Sequence, residues 1–359
     1  GSQTRSRRTD FSQIDKTGDI QKVQPAITVM ARRLDPKRSK MDKVELTSLF
    51  LTQLSINHCV SPHSSTEKEK LMIMTNCLRE ISKNSDRSKP PLFCVPGIFG
   101  SPNYFTQLSR QIGLGQPFYS WQQASSWGSS FPVYRIETLA SQYIASLKKI
   151  QPHPPYYLAG HSFGGLIAFE MARQLWVSNE KVALVAVFDT AAPISSQKAK
   201  LANFVHSAND LDYLKLIKEM FEGAFGQIVQ ILSQKDSELA LTFENLFIQL
   251  KDLFPLLHPG EVIPPEQIFS VFKNNWQAML DYNPLKIPQI PLSLYRAADK
   301  TSGKLNRTIF SDRVINSPTY GWNELADNIN VYQTPGNHST MLTSPHVQVL
   351  ATLLQSQLN

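Results

Sequence analysis

Gly160-His161-Ser162-Phe163-Gly164 places a serine between two glycines. The apolar stretch "YYLAG" (156–160) precedes it, and the helical pattern "FGGLIAFEMARQLW" (163–176) follows. A G-x-S-x-G run between strand and helix is the signature of a nucleophile turn, with the serine in a strained backbone conformation and its hydroxyl exposed. The glycines are needed because strand and helix cross too closely there for side chains. The helix start behind the serine offers N–H groups and a positive dipole end to an oxyanion. The plain alternative is a small residue at a junction, and the flanking strand and helix patterns favour the chemical reading.

A serine hydroxyl is a weak nucleophile at neutral pH, so it needs a base, and the base needs an orienting acid. After this kind of turn they follow in the order Ser, Asp/Glu, His. Asp189 ends the run "VALVAVFD" (182–189), where the next parallel strand would deliver a carboxylate to the same sheet edge. Asp299, just past "IPLSLYRA" (290–297), is its rival. Asp189 is favoured, because a charge directly ending an apolar strand is rarely there for packing.

Eight histidines compete for the base. His58 and His63 precede the catalytic body, and His153 lies in a Pro-rich loop. His161 is the variable residue of the turn and is expected to point away. His206 and His258 belong to a helical insertion, and His346 opens a closing helix. His338, in "YQTPGNHSTML" after the last strand, is the expected base. The loop "VPGIFGSPNYF" (95–105) is expected to supply a second oxyanion donor, the backbone N–H of Ile98, beside that of Phe163. Glycines that serve only the turn are the alternative there.

These residues need a frame. Strands are expected at 92–95, 116–122, 156–160, 182–189, 290–297 and 329–334, and helices at 136–150, 163–176 and 346–358. The alternation implies an α/β fold with a largely parallel sheet. Ile136, Leu139, Tyr143 and Leu147 give the 136–150 helix one apolar side. Between 190 and 289 only helical periods occur, which reads as a lid over about 195–285, or as an added helical layer with no gating role.

Of the 36 basic and 29 acidic side chains, 17 and 10 fall in residues 1–89, so the remainder carries 19 of each. The net charge of +7 therefore belongs to the leading segment. Residues 1–49 offer only Phe11 among aromatics until Phe50, which argues against nucleic-acid binding. Residues 1–89 read as a basic linker with amphipathic helices at 41–56 and 66–82, and residues 90–359 as the catalytic domain. No apolar run is long enough to span a membrane, and the N-terminus has no secretory pattern. Three cysteines without metal-ligand spacing suggest a reducing, cytoplasmic setting.

With these motifs in order, "KPPLFCVPGIFGSPNYFTQLSRQI", "YYLAGHSFGGLIAFEMARQL", "LVAVFDTAAP" and "YGWNELADNINVYQTPGNHSTMLTSPHVQVLATLL", residues 89–359 resemble the thioesterase domains that end polyketide synthases and nonribosomal peptide synthetases. The resemblance implies an α/β-hydrolase fold with a helical lid and supports Asp189 as the acid. It implies a serine thioesterase that frees an acyl or peptidyl chain by hydrolysis or cyclisation. The substrate would arrive on the phosphopantetheine of a carrier protein, with no cofactor in this domain. Stand-alone proofreading members usually carry a "PGRE"-like stretch where this chain reads "FYSWQQASSWGSS", so the chain-terminating type is favoured. Residues 1–88 lie outside the resemblance and hold no carrier-type "DSL" serine. Their stripe at 66–82 is similar to the N-terminal helices through which polyketide-type members form homodimers, with packing against the catalytic body as the equal alternative. A small-molecule carboxylester hydrolase and a silent scaffold that binds a carrier protein are the competing readings.

Overall fold

The computed structural model describes residues 77–82, 86–113, 115–123, 135–220, 247, 265–299 and 311–358. The short apolar runs form one seven-stranded sheet: β1 (Cys77–Glu80), β2 (Leu92–Val95), β3 (Phe118–Gln122), β4 (Tyr156–His161), β5 (Val182–Phe188), β6 (Leu292–Ala297) and β7 (Ile329–Thr334). Their spatial order is β1-β3-β2-β4-β5-β6-β7. Only β1 runs antiparallel to its neighbour.

The described α-helices around the sheet include α1 (Thr106–Ile112), α2 (Ile136–Ile150), α3 (Phe163–Val177), α4 (Ser195–Ser207), α5 (210–220), α6 (Pro265–Asp281), α7 (Asp312–Asn316) and α8 (Val347–Gln355). Helices cover both faces of the sheet, so β2 and most of β5 are buried, as their unbroken apolar sequences require. One core lies between the sheet, α2, α3 and the α4–α6 layer, and the other between the sheet, α1 and α8. On α2 the expected stripe of Ile136, Leu139, Tyr143 and Leu147 is buried, with Ala140 beside it.

The last part of the stretch expected to be helical at 66–82 is not a helix. Residues 77–80 form an edge strand, with Leu78 opposite Trp121. A helical stripe would put Leu78 and Ile81 on one side, whereas here they pack against opposite cores. The open edge of β3 gives this backbone hydrogen-bond partners that an isolated short helix would lack, and the sheet therefore begins before residue 90. The expected helix at 41–56 and residues 66–76 of the expected dimerising stripe lie outside the described residues. So do His58, His63 and His258, and much of the expected lid.

Strand order reverses at β2 and β4, because the chain leaves β2 toward β3 and then returns to the other side for β4. In an open α/β sheet the crevice beyond the C-terminal ends of two such strands is where ligands bind. The loop carrying Ile98 follows β2 and the serine turn follows β4, so topology alone places both at that crevice.

Candidate active site

Ser162 joins β4 to α3 with φ 55° and ψ −123°, the strain expected of the turn. The close crossing is measurable at its glycines. A Cβ on Gly160 would lie 2.2 Å from the Gly164 carbonyl oxygen, and one on Gly164 would lie 2.2 Å from that of Val95. The Ser162 side chain makes no capping bond to α3, so its hydroxyl is available to other groups. Its backbone is fixed: the N–H donates to the Phe188 carbonyl at 3.0 Å, and its own carbonyl accepts from the Thr190 hydroxyl at 3.1 Å.

Asp189 directly follows β5, also with positive φ, at 45°. Its N–H donates to the Tyr295 carbonyl at 2.8 Å, and its Oδ1 accepts from the Ala297 N–H at 3.0 Å, so β6 holds both backbone and side chain. The other oxygen, Oδ2, lies 2.8 Å from His338 Nδ1. His338 Nε2 lies 3.0 Å from Ser162 Oγ. A carboxylate only accepts, so the proton of a neutral His338 sits on Nδ1 and the Nε2 lone pair faces the hydroxyl. Asp189 and His338 are buried and Ser162 is half-buried, which excludes most water from the pair while leaving the hydroxyl reachable.

Tyr320 is a member of this group that sequence reasoning missed. Its phenol donates to the Asp189 side chain and is pushed up to about 12, first by burial and then by that carboxylate. The only sequence sign was an aromatic beside Gly321 after a loop, which is too common to notice. The Arg296 guanidinium packs over its ring at 4.1 Å.

His161, the variable residue of the turn, packs beside His338 and serves the site. Its Nε2 donates to the His338 carbonyl at 2.9 Å, and the two rings lie 4.8 Å apart. Burial, and then the neighbouring His338, push His161 down to about 3, so the ring is neutral near pH 7. The rival acid, Asp299, instead accepts from the Gly336 N–H at 3.1 Å and donates its own N–H to the Gly336 carbonyl at 2.9 Å. It pins the loop that carries the base.

Ile98 and Phe163 both line the cleft above Ser162, and among the described residues neither backbone N–H donates a hydrogen bond. The Ile98 carbonyl accepts from Asn275 Nδ2 of α6 at 2.8 Å, and the Asn275 amide also pairs with Gln123 at 3.2 and 3.3 Å. Asn275 is buried and ties the helical layer to the loop after β2. The cleft occupies about 530 Å³, part of it open to solvent, and its walls are largely apolar. A hydroxyl, a correctly protonated imidazole, a carboxylate and two unused N–H groups around such a cleft can form and break an acyl-oxygen bond.

The family model of the "Thioesterase domain" matches residues 90–357. The chain belongs to the thioesterase domain family. Chondramide synthase cmdD of Chondromyces crocatus is 26% identical over 276 residues, covering 76% of this chain and 7% of that protein. Malpinin synthetase of Mortierella alpina is 42% identical over 105 residues, covering 29% of this chain and 1% of its relative. The chain thus spans a small fraction of the curated relatives it matches. Among solved structures, holo-AB3403, a four-domain nonribosomal peptide synthetase, superposes with a TM-score of 0.61 at 24% identity, over 78% of this chain and 20% of the other. The Vlm2 thioesterase domain bound with a dodecadepsipeptide gives 0.52 at 15%, over 78% and 96%. These likenesses show the α/β-hydrolase fold. A thioesterase domain hydrolyses thioesters.

Proposed function

We propose that this thioesterase domain ends synthesis on a multidomain nonribosomal peptide or polyketide synthetase, with Ser162, His338 and Asp189 as its catalytic triad. The acyl or peptidyl chain arrives as a thioester on the phosphopantetheine arm of a carrier domain. His338 Nε2 takes the Ser162 proton as Oγ attacks the thioester carbonyl. The N–H groups of Ile98 and Phe163 hold the oxyanion, and Asp189 stabilises the imidazolium through Nδ1. His338 then returns the proton to the departing sulfur, leaving an acyl-serine. Water, or a hydroxyl or amine of the chain itself, attacks that ester and regenerates Ser162. In this scheme His338 shuttles each proton between Ser162, the departing sulfur and the attacking nucleophile, so the proposed chemistry calls on no cofactor in this domain.

The observation that carries this reading is the continuous Ser162–His338–Asp189 contact, at 3.0 and 2.8 Å, beneath the apolar cleft. A cytoplasmic site of action goes with this reading, and among the described residues no helix is long and apolar enough to cross a membrane. Pairing of two copies through the segment before β1 belongs to the same reading, and sedimentation with and without that segment tests it.

The decisive experiment combines a fluorophosphonate with a panel of acyl-pantetheine thioesters, the products being read by mass spectrometry. A stoichiometric adduct on Ser162 and turnover of thioesters faster than matching oxygen esters are expected. Preference for oxygen esters would make the chain a carboxylester hydrolase. No adduct at Ser162 would make it a silent scaffold.

A further inference from the structure

Tyr320 holds its backbone at φ 50°, in the left-handed region, directly before Gly321 at φ 83°. Glycine or asparagine enters that region at little cost, whereas a bulky aromatic there is strained. The position therefore keeps a tyrosine against its backbone preference, and the reason lies at the tip of the side chain. The buried ring carries its hydroxyl to the Asp189 carboxylate. Asp189 already accepts from the Ala297 N–H and faces His338 Nδ1, so the phenol is a third donor on the acid.

The residues around Tyr320 are fastened to the loop that carries the acid. The Tyr320 carbonyl accepts from the Ala192 N–H at 3.0 Å, and Trp322 Nε1 donates to the Thr190 carbonyl at 2.7 Å. Behind the ring lies the Arg296 guanidinium, which donates to the carbonyls of Ile315, Ser317 and Pro318 at 3.0 to 3.2 Å. A cation beside a phenol strengthens its O–H as a donor, and this phenol, at about 12, still keeps its proton near neutral pH.

We propose that Tyr320 is a positioning residue of the triad, holding the Asp189 carboxylate toward His338 and taking up part of its charge, so that the imidazolium formed during acylation still yields its proton to the departing sulfur. The inference rests on the reading of Ser162, His338 and Asp189 as that triad and adds a fourth member that acts through Asp189. A buried carboxylate with fewer donors would concentrate its charge on the imidazolium and slow the release of the proton. Three donors spread that charge and fix the plane of the carboxylate. No bond is made or broken at Tyr320, and its proton stays on the phenol oxygen throughout.

The test changes the donor and keeps the ring. Tyr320→Phe takes the hydroxyl away, and replacing Tyr320 with 3-fluorotyrosine makes it a stronger donor that is still protonated below about pH 9. The rate of Ser162 phosphonylation by a fluorophosphonate is followed from about pH 5 to pH 9 in the three proteins. Relative to the native protein, the midpoint of the acid limb should rise by about half a pH unit or more in Tyr320→Phe and fall by about 0.3 in the fluorotyrosine protein. On an N-acetylcysteamine thioester, Tyr320→Phe should lower kcat about tenfold and leave KM within about twofold. The other charged or titratable groups around the pair are common to all three proteins: His161, neutral above about pH 5, Asp299 and His346 beside Gly336, and Arg296. The fluorotyrosine protein, which differs by one atom, decides alone where the Phe protein does not fold. Coincident limbs, or shifts in the opposite order, would make Tyr320 a packing residue whatever the change in kcat, and would overturn the proposal while leaving the serine chemistry intact. A native protein that takes up no fluorophosphonate at Ser162 would overturn the functional reading and this one with it.

Discussion

On one side of the cleft, Ser162, Asp189 and His338 are held largely by backbone groups: Ser162 by β5, Asp189 by β6, and the loop of His338 by Asp299 and His161. On the facing side, α6 meets the body through side chains, with Phe272 stacked on Phe99 at 5.0 Å and Asn275 reaching the Ile98 carbonyl. The first wall leans mainly on backbone groups, with the Asp299 carboxylate and the His161 imidazole as its side-chain supports. The second is built from particular side chains and changes with each of them. The proposed catalytic groups therefore sit on the wall held mainly by backbone, and α6 forms the wall held by side chains.

The contrast is broken most directly at the acid. Asp189→Asn should lower kcat by about 10^4, because an amide would favour the wrong His338 tautomer, with the serine contact otherwise intact. Asp299→Asn should cost less than about tenfold, since it only weakens a bond to a loop. Steady-state kinetics on one thioester decides between them, and the reverse order would move the acid to position 299.

An intermediate effect is expected where the walls meet. Asn275→Ala removes the donor from the Ile98 carbonyl and strands Gln123. A loss of about tenfold in kcat and of about 1–3 kcal/mol in urea-unfolding stability should follow. A kinetic loss as large as that of Asp189→Asn would show that α6 belongs to the catalytic frame and would erase the distinction.

The smallest effect concerns pH. The folded-state pKa of His161, about 3, is depressed below its ordinary value of 6.5. Its neutral form thus contributes stability that is present above about pH 6.5 and is lost as pH falls toward 3. His161→Gln can still donate to the His338 carbonyl but does not titrate. Its urea midpoint should fall less between pH 7 and pH 4.5 than that of the native protein, and parallel curves would remove His161 from the acid response.

The backbone-held wall was legible in the sequence because its signals are local. Glycines beside a serine, a carboxylate ending an apolar run and a histidine after the last strand each report their position without knowledge of distant neighbours. The wall formed by α6 was not. Trp276 and Asn275 sit in an ordinary helical pattern, and what distinguishes them is their contact with residues from Ile98 to Phe204. Glu170 fails for a similar reason. In sequence it looks like the polar side of α3, yet it is buried, because Arg173, Gln174 and Tyr282, the last more than a hundred residues on, supply its hydrogen bonds. The strand at 77–80 was misread because its partner β3 follows only after about forty residues, and short apolar stretches suit either period.

The bond from the His161 imidazole to the His338 carbonyl has a mechanical consequence. Position 161 is covalently next to Ser162, and position 338 carries the proposed base. The bond therefore ties the tip of β4 to the loop of His338, coupling the two groups whose spacing the proposed proton transfer needs.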